Sequence, residues 1–298
     1  MWILLAVGSA LAWAGSNIAD KYALTRLPRS PLFMTAVSSA GALLVGILSY
    51  LYAPFSLLPY LLDIAVFAVL FLLVNLFFLR ALSEDEASRV LPLFELTTVF
   101  LLIAAVVFFH EHINLLQAGA ACVILAGVYL LTRDPSRRKG PFRSKREVLF
   151  LLAAALMWTV YVLTARFRLD TLSFVPLLTV LLLSRGILVV VLPFARPKSG
   201  WHTIPKVVWF SAFSSGMFGA AGISFWLIAV NRGPFAFVTL LATLQYPFVF
   251  LLETAAGRLF PQSTAFRVSG GHAAFLAKSL AIALVVLGAS AIALTASR

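Results

Sequence analysis

Cysteine, histidine and acid are scarce in this chain. It holds one Cys, four His and 11 Asp or Glu in 298 residues. A single Cys, Cys122, excludes any intrachain disulfide. Neither a glycine-rich phosphate loop nor a G-x-S-x-G turn occurs, so the sequence signs of nucleotide binding and serine hydrolysis are missing. His110-Glu111-His112 does not read as a metal site. Positions i and i+2 do not share a helix face, and the zinc-protease pattern sets its histidines four apart. The three residues read as a short loop, and no metal or cofactor is expected. An intramembrane enzyme would need paired carboxylates or a nucleophile at membrane depth, and no acidic partner for Glu95 is evident. The chain is therefore not read as an enzyme. Charge of either sign is thin as well: 11% of residues are charged, against about 25% in a soluble domain.

What the chain has instead is apolar length. Hydrophobic residues make up 62%, Phe alone contributes 26, and the mean hydropathy is +1.01. A bilayer-crossing helix needs about 20 mainly apolar residues. Ten stretches qualify, at 2–20, 31–52, 59–80, 87–109, 115–132, 147–168, 172–194, 205–230, 235–256 and 274–296. They are too long for barrel strands and lack sustained alternation. The opening MWILLAVGSALAWAGS has small residues near its end but no basic n-region. It reads as a retained first helix rather than a cleaved signal.

The net charge of +12 sits mostly in short connections. Eighteen of the 23 Lys and Arg fall in the connections after spans 1, 3, 5, 7 and 9, and four lie on the opposite side. That is membrane topology rather than nucleic-acid binding, and the positive-inside rule puts both termini outside. The most basic connection, RDPSRRKGPFRSKRE, falls near the midpoint. On either side of it the sequence repeats. Trp13 aligns with Trp158, Lys21 with Arg166 and Leu24 with Leu169, all at an offset of 145. Ala81-Leu82 aligns with Ala229-Val230 at 148, and Gly127 with Gly288 at 161, which places an insertion in 257–273. The expected architecture is an all-α membrane protein of ten transmembrane helices in two inverted five-helix repeats. The first repeat is 1–132, a basic linker follows at 133–146, and the second repeat is 147–298. An odd number of spans per half makes the halves cross in opposite senses, a common transporter plan.

The stretch from Ala81 to Leu131 carries Ala87, Ser88, Val99, Phe100, Glu111, Gln117, Gly119 and Gly127 in order. This resembles the EamA-type repeat of the drug/metabolite transporter superfamily, as does the opening Trp13…Asn17…Lys21. Thr98 stands where that repeat usually has Pro, although Pro247 keeps it in the second half, and His110 replaces the usual Gly before Glu111. The resemblance implies ten helices in two inverted repeats and movement of a small metabolite, with amino acids, related metabolites or drugs as the usual cargoes.

Ionisable groups deep in a bilayer are costly and face a cavity or a partner. Glu95, in VLPLFELTTVFLL, and Arg185 lie at similar depth in opposite halves, and are expected to face a shared cavity as an ion pair or as ligands of a zwitterion. Asn17 and Asp20 in span 1, Asn75 in span 3, and Gln245 and Tyr246 in span 9 fall in the same half of the bilayer. Trp13, Trp158 and Trp226 are candidate lining residues. Trp2, Trp201 and Trp209 read as interfacial. Pro92 and Pro247 lie inside spans, where they kink helices.

The expected function is a secondary transporter of a small metabolite or drug-like solute, working by alternating access as the two five-helix halves rock. Glu95 is the first candidate for proton coupling. A lipid or lipid-linked flippase is the alternative, with an intramembrane enzyme a more distant one. The partners expected are a small-molecule substrate and the lipid bilayer, with monomer and homodimer both open. The plasma membrane is the expected location.

Overall fold

A computed structural model describes residues 1–26, 31–84, 94, 96–132, 145–195, 204–259 and 272–296. Among them there is no strand. The helices are α1 Trp2–Arg26, α2 Pro31–Tyr52, α3 Leu61–Glu84, α4 Leu96–Phe109, α5 Leu115–Thr132, α6 Lys145–Leu169, α7 Phe174–Gly186, α8 Lys206–Arg232, α9 Phe235–Ala242, α10 Gln245–Leu259 and α11 His272–Ala296. Helix is the expected outcome, because a chain in hydrocarbon must satisfy its backbone groups within itself.

Seven helical segments are long and apolar enough to cross a membrane: Trp2–Leu24, Leu32–Tyr52, Leu58–Ala81, Val148–Leu169, Phe174–Phe194, Lys206–Arg232 and Phe235–Gly257. Three shorter apolar helices, Leu96–Phe109, Leu115–Leu130 and Ser279–Ile292, fall within the stretches expected at 87–109, 115–132 and 274–296. Residues 87–93 of the first, with Pro92, lie outside the described residues, as does Trp201. Large apolar side chains such as Leu48, Leu116, Val190 and Phe210 are exposed around the body. Apolar surface spread this widely suits lipid rather than water. The protein is a multi-pass integral membrane protein.

Two spans depart from a regular helix. Phe174–Phe194 tightens into a 3₁₀ helix over Ile187–Ala195, which holds Pro193. Phe235–Gly257 breaks between α9 and α10. Pro247 has no N–H, and its ring opposes the carbonyl four residues back, at Thr243. The chain answers with short-range bonds: Thr243 N–H donates to Leu240 O, Leu244 N–H to Leu241 O, and Tyr246 N–H to Thr243 O, each at 3.1 Å.

The helices of the two halves interleave. α1 packs on α8, α9 and α10, while α3 packs on α6 and α7. α2 packs on α7 and α8, α4 on α6 and α9, and α5 on α11. Small residues allow the closest approaches. A Cβ on Gly41 of α2 would meet the backbone of α8 at Phe213 and Met217. One on Gly216 of α8 would meet the Ser38 carbonyl of α2. The α5–α11 crossing is reciprocal. A Cβ on Gly127 would lie 2.7 Å from Val285 and 2.9 Å from the Ala281 carbonyl, and one on Gly288 would lie 2.6 Å from Ile124 and 2.9 Å from the Ala120 carbonyl. Gly119, on the same helix as Gly127, has nothing within 4 Å of its Cβ position.

These surroundings set opposite expectations for three glycines. Gly127→Val and Gly288→Val each lower stability by about 1–3 kcal/mol through overpacking, and by similar amounts. Gly119→Ala is neutral or stabilising, since it gains helix propensity and meets no neighbour. Thermal unfolding of the three purified variants in detergent checks the ordering.

Candidate functional site

α1, α4, α6, α8 and the broken α9–α10 span enclose a cavity of about 490 Å³, its open side included. Its walls are aromatic: Trp13 of α1, Trp158 of α6, Trp226 of α8, Phe94 and Tyr246. Its polar groups are Thr97, Thr98, Thr239, Thr243 and Gln245. The break between α9 and α10 lies on the cavity, with Ala242, Thr243, Gln245 and Tyr246 all lining it.

The threonines are not neutral spectators. Thr97 Oγ1 donates to Phe94 O at 2.5 Å, Thr239 to Phe235 O at 2.8 Å and Thr243 to Leu240 O at 2.6 Å. A hydroxyl has one proton and two lone pairs. With the proton committed to the helix, each of the three offers lone pairs to any other partner. Gln245 is only lightly engaged, its Oε1 lying 3.5 Å from Asn17 Nδ2, at the long limit of a hydrogen bond. The cavity thus presents π faces, hydroxyl acceptors and one amide.

Of the residues singled out by sequence, Trp13, Gln245 and Tyr246 line this cavity, and Trp158 and Trp226 do too. Asn17 touches it through Gln245. Asn75 does not line it: its Nδ2 donates to Phe71 O of its own helix at 2.9 Å. Glu95 lies outside the described residues. Arg185 sits elsewhere in the seam. Its Nη1 donates to the Gly219 carbonyl of α8 at 3.2 Å, and its guanidinium lies 4.2 Å from the centroid of the Phe71 ring of α3. Sequence reasoning did not single out the threonines. Nothing in their apolar surroundings separates a cavity threonine from one elsewhere in a span.

Ion pairs and caps stand at the ends of the bundle. Lys21 Nζ of α1 meets Glu253 Oε1 of α10 at 2.6 Å. At the opposite end of the bundle, Arg168 of α6 meets Asp63 of α3 at 2.6 Å. Glu111 plays a structural part there. His110 ends α4 with φ 52°, in the left-handed region, which Gly adopts most readily. The Glu111 carboxylate then reaches into the second half, where Oε1 accepts Phe235 N–H at 2.6 Å and Oε2 accepts Ala236 N–H at 2.9 Å. These are orphan donors at the start of α9, whose N-cap is Pro234 and supplies no side-chain bond. A carboxylate at a helix N-terminus is favoured by the dipole as well.

Residues 1–133 match the EamA-like transporter family. Over 135 residues the chain is 30% identical to an "Uncharacterized transporter" of Methanothermobacter thermautotrophicus (strain ATCC 29096 / DSM 1053 / JCM 10044 / NBRC 100330 / Delta H). That match spans 43% of this chain and 38% of the relative, well under two thirds of the relative's length. A solved protein crystal structure is similar at a TM-score of 0.74 and 21% identity, covering 100% of this chain and 98% of that one. At that identity the likeness shows the fold.

The Glu111 cap predicts a loss in unfolding free energy of about 1.5–3 kcal/mol for Glu111→Ala, as a charge-assisted pair of bonds is removed. Glu111→Gln keeps one acceptor and loses less. His110→Gly relieves the left-handed strain and gains up to about 1 kcal/mol. Melting curves of the three variants in one detergent test the order.

Proposed function

We propose, from a chain whose residues 1–133 match the EamA-like transporter family, that this membrane protein is a secondary transporter of ten spans in two inverted repeats. One observation carries the reading. Trp13 and Trp158, which occupy equivalent places in the two halves, line one cavity together with a broken helix. Discontinuous helices at a repeat interface are where transporters of this plan hold their cargo. The reciprocal contacts of Gly127 and Gly288 support the two-fold relation. So does the helix pairing, in which α1–α8 is matched by α6–α3 and α2–α8 by α7–α3.

The interleaving bears on the motion. The sequence halves are not separate bundles, because α1 and α2 pack on α8 while α3 packs on α6 and α7. The rocking bodies are therefore mixed. One is α1, α2 and α8 with the ninth span, and the other is α3, α4, α6 and α7, with the cavity between them. The Lys21–Glu253 pair lies within the first body and the Arg168–Asp63 pair within the second, so each ties its own body together.

The cavity chemistry points to the cargo. Lone pairs and indole faces receive donors and cations, and indole is the strongest cation–π partner. A small solute with an apolar or aromatic body and an amine suits them, which includes amino-acid-like and drug-like compounds.

A thermal-shift screen of such solutes tests this. A ligand at a hundred times its Kd adds about 2.7 kcal/mol to the folded state. The expected hit stabilises the wild type, and Trp13→Ala, Thr243→Val and Gln245→Leu each weaken its binding at least tenfold. Reconstituted vesicles should take up the same compound. A transported solute indifferent to all three variants would place the cargo site elsewhere. Scrambling of labelled lipid with no solute uptake would favour the flippase.

A further inference from the structure

Beside the cavity lies a second polar cluster that the cargo site does not use. α1 carries Ser16 and Asp20 one turn apart, so both share a face. That face meets α8. Ser16 Oγ lies 2.9 Å from Ser215 Oγ, and Ser211 Oγ donates to Ala19 O at 2.7 Å. The partly buried Asp20 carboxylate has the Ser215 hydroxyl and the Arg185 guanidinium as its electrostatic neighbours. Arg185 in turn faces Tyr161 of α6. Gly219 leaves the room they share: a Cβ there would lie 3.1 Å from Arg185 Nη2 and 3.6 Å from Ser16 Oγ.

The cluster is under-bonded for a fixed structural pair. A buried ion pair that only holds helices together needs close contact and fully satisfied donors. Among the described residues no carboxylate is within ion-pair distance of Arg185. Its Nε and the hydroxyl of the buried Tyr161 have no hydrogen-bond partner. Asp20 and Arg185 attract each other across hydroxyl groups rather than through direct contact. Such an arrangement leaves room for the carboxylate to gain and lose a proton.

The place also suits coupling. Asp20 is on α1 and Arg185 on α7, which belong to the two bodies that move against each other. A proton on Asp20 removes the attraction between them, so it favours one arrangement over the other, as any ligand must to drive a change. The cluster touches the cargo cavity at both ends. Ser16 is one turn from Trp13, and Trp158 stacks on Tyr161 with ring centroids 5.3 Å apart. The charged and titratable groups around Asp20 are few. They are Arg185 from α7, Tyr161 from α6, and Lys21 on its own helix, which Glu253 of α10 already holds. From α8 it meets the serine hydroxyl of Ser215.

We propose that Asp20 is the proton-binding residue that couples proton movement to transport, with Ser16 and Ser215 as the hydroxyls that pass the proton and Arg185 as its counter-charge. In each cycle the carboxylate takes one proton from the side its cavity faces and releases it to the other. This rests on the transporter reading, but its test needs no cargo. Infrared difference spectra of the purified wild-type protein, titrated with pH, should show the carbonyl band of a protonated buried carboxylic acid. Asp20→Asn should remove that band. Arg185→Gln should move its midpoint by about one pH unit or more, as removal of a nearby charge does. Should Asp20→Asn fail to fold, Ser215→Ala keeps the carboxylate and must still shift the midpoint. A band that survives Asp20→Asn belongs to another carboxyl and overturns the proposal, as does a midpoint indifferent to Ser215→Ala. Uptake by the wild type without any titrating band would leave the transporter standing and remove Asp20 from it.

Discussion

Hydrocarbon offers no hydrogen bond, and most of this structure follows from that. Backbone groups close on themselves, so the described spans are helical. Side chains follow the same rule. Asn75, Thr159, Thr239 and Thr254 all bond a carbonyl one turn back on their own helix. Where the backbone is interrupted, something must step in. At the Pro247 break, short-range bonds around Thr243 do so. At the start of α9, whose N-cap Pro234 makes no side-chain bond, the Glu111 carboxylate arrives from 124 residues away. The cavity itself is a by-product. Threonines that satisfy their protons locally leave their lone pairs available where the broken span opens a space.

The second constraint is that lipid pays no premium for burying apolar surface between helices, so close packing must come from shape. Glycines supply it where helices of opposite halves cross, at Gly41 and Gly216, and at Gly127 and Gly288. The result is interleaving rather than two side-by-side bundles. Rigid crossings of this kind resist sliding, which favours motion as whole bodies about the seam. Arg185, held by Gly219 of one body and lying over Phe71 of the other, sits where such bodies would meet.

Legibility in the sequence divides along the same physical line. Apolar length located the seven segments long enough to cross a membrane and the three shorter apolar helices, because length against bilayer thickness is a strong signal. The alignment of Trp13 with Trp158 was readable as a repeat, and both residues line the cavity. Gly127 with Gly288 was readable too, and both stand at one crossing. The kink at Pro247 was readable from the residue's missing N–H. Partnerships were not. A spanning helix is apolar all round, so periodicity does not tell the lipid face from the core face. Nothing local links Glu111 to Phe235, Lys21 to Glu253, or Asp20 to Arg185. Asp20 was visible as a polar residue near the end of a span, but its importance depends on Ser215 and Arg185, which lie some 160 to 200 positions away in the chain.

A two-fold transporter with identical halves would have two end states of equal energy, so its direction must come from where the halves differ. The differences here are specific. Lys21 on α1 reaches Glu253 on α10. Its repeat equivalent, Arg166 on α6, finds no carboxylate on α4 among the described residues. It pairs instead with Asp170 of its own segment and lies over the Phe109 ring at 4.9 Å. One end of the bundle is thus held by an ion pair between spans, and the other by an aromatic contact together with Arg168–Asp63. Arg185 has no twin either, since position 40, its counterpart at an offset of 145, is Ala. In the proposed transporter these unmatched charges are what would make its two arrangements unequal. On the same proposal a proton at Asp20 would act on one of them, Arg185. That would give a small ion leverage over a choice that symmetric halves leave balanced.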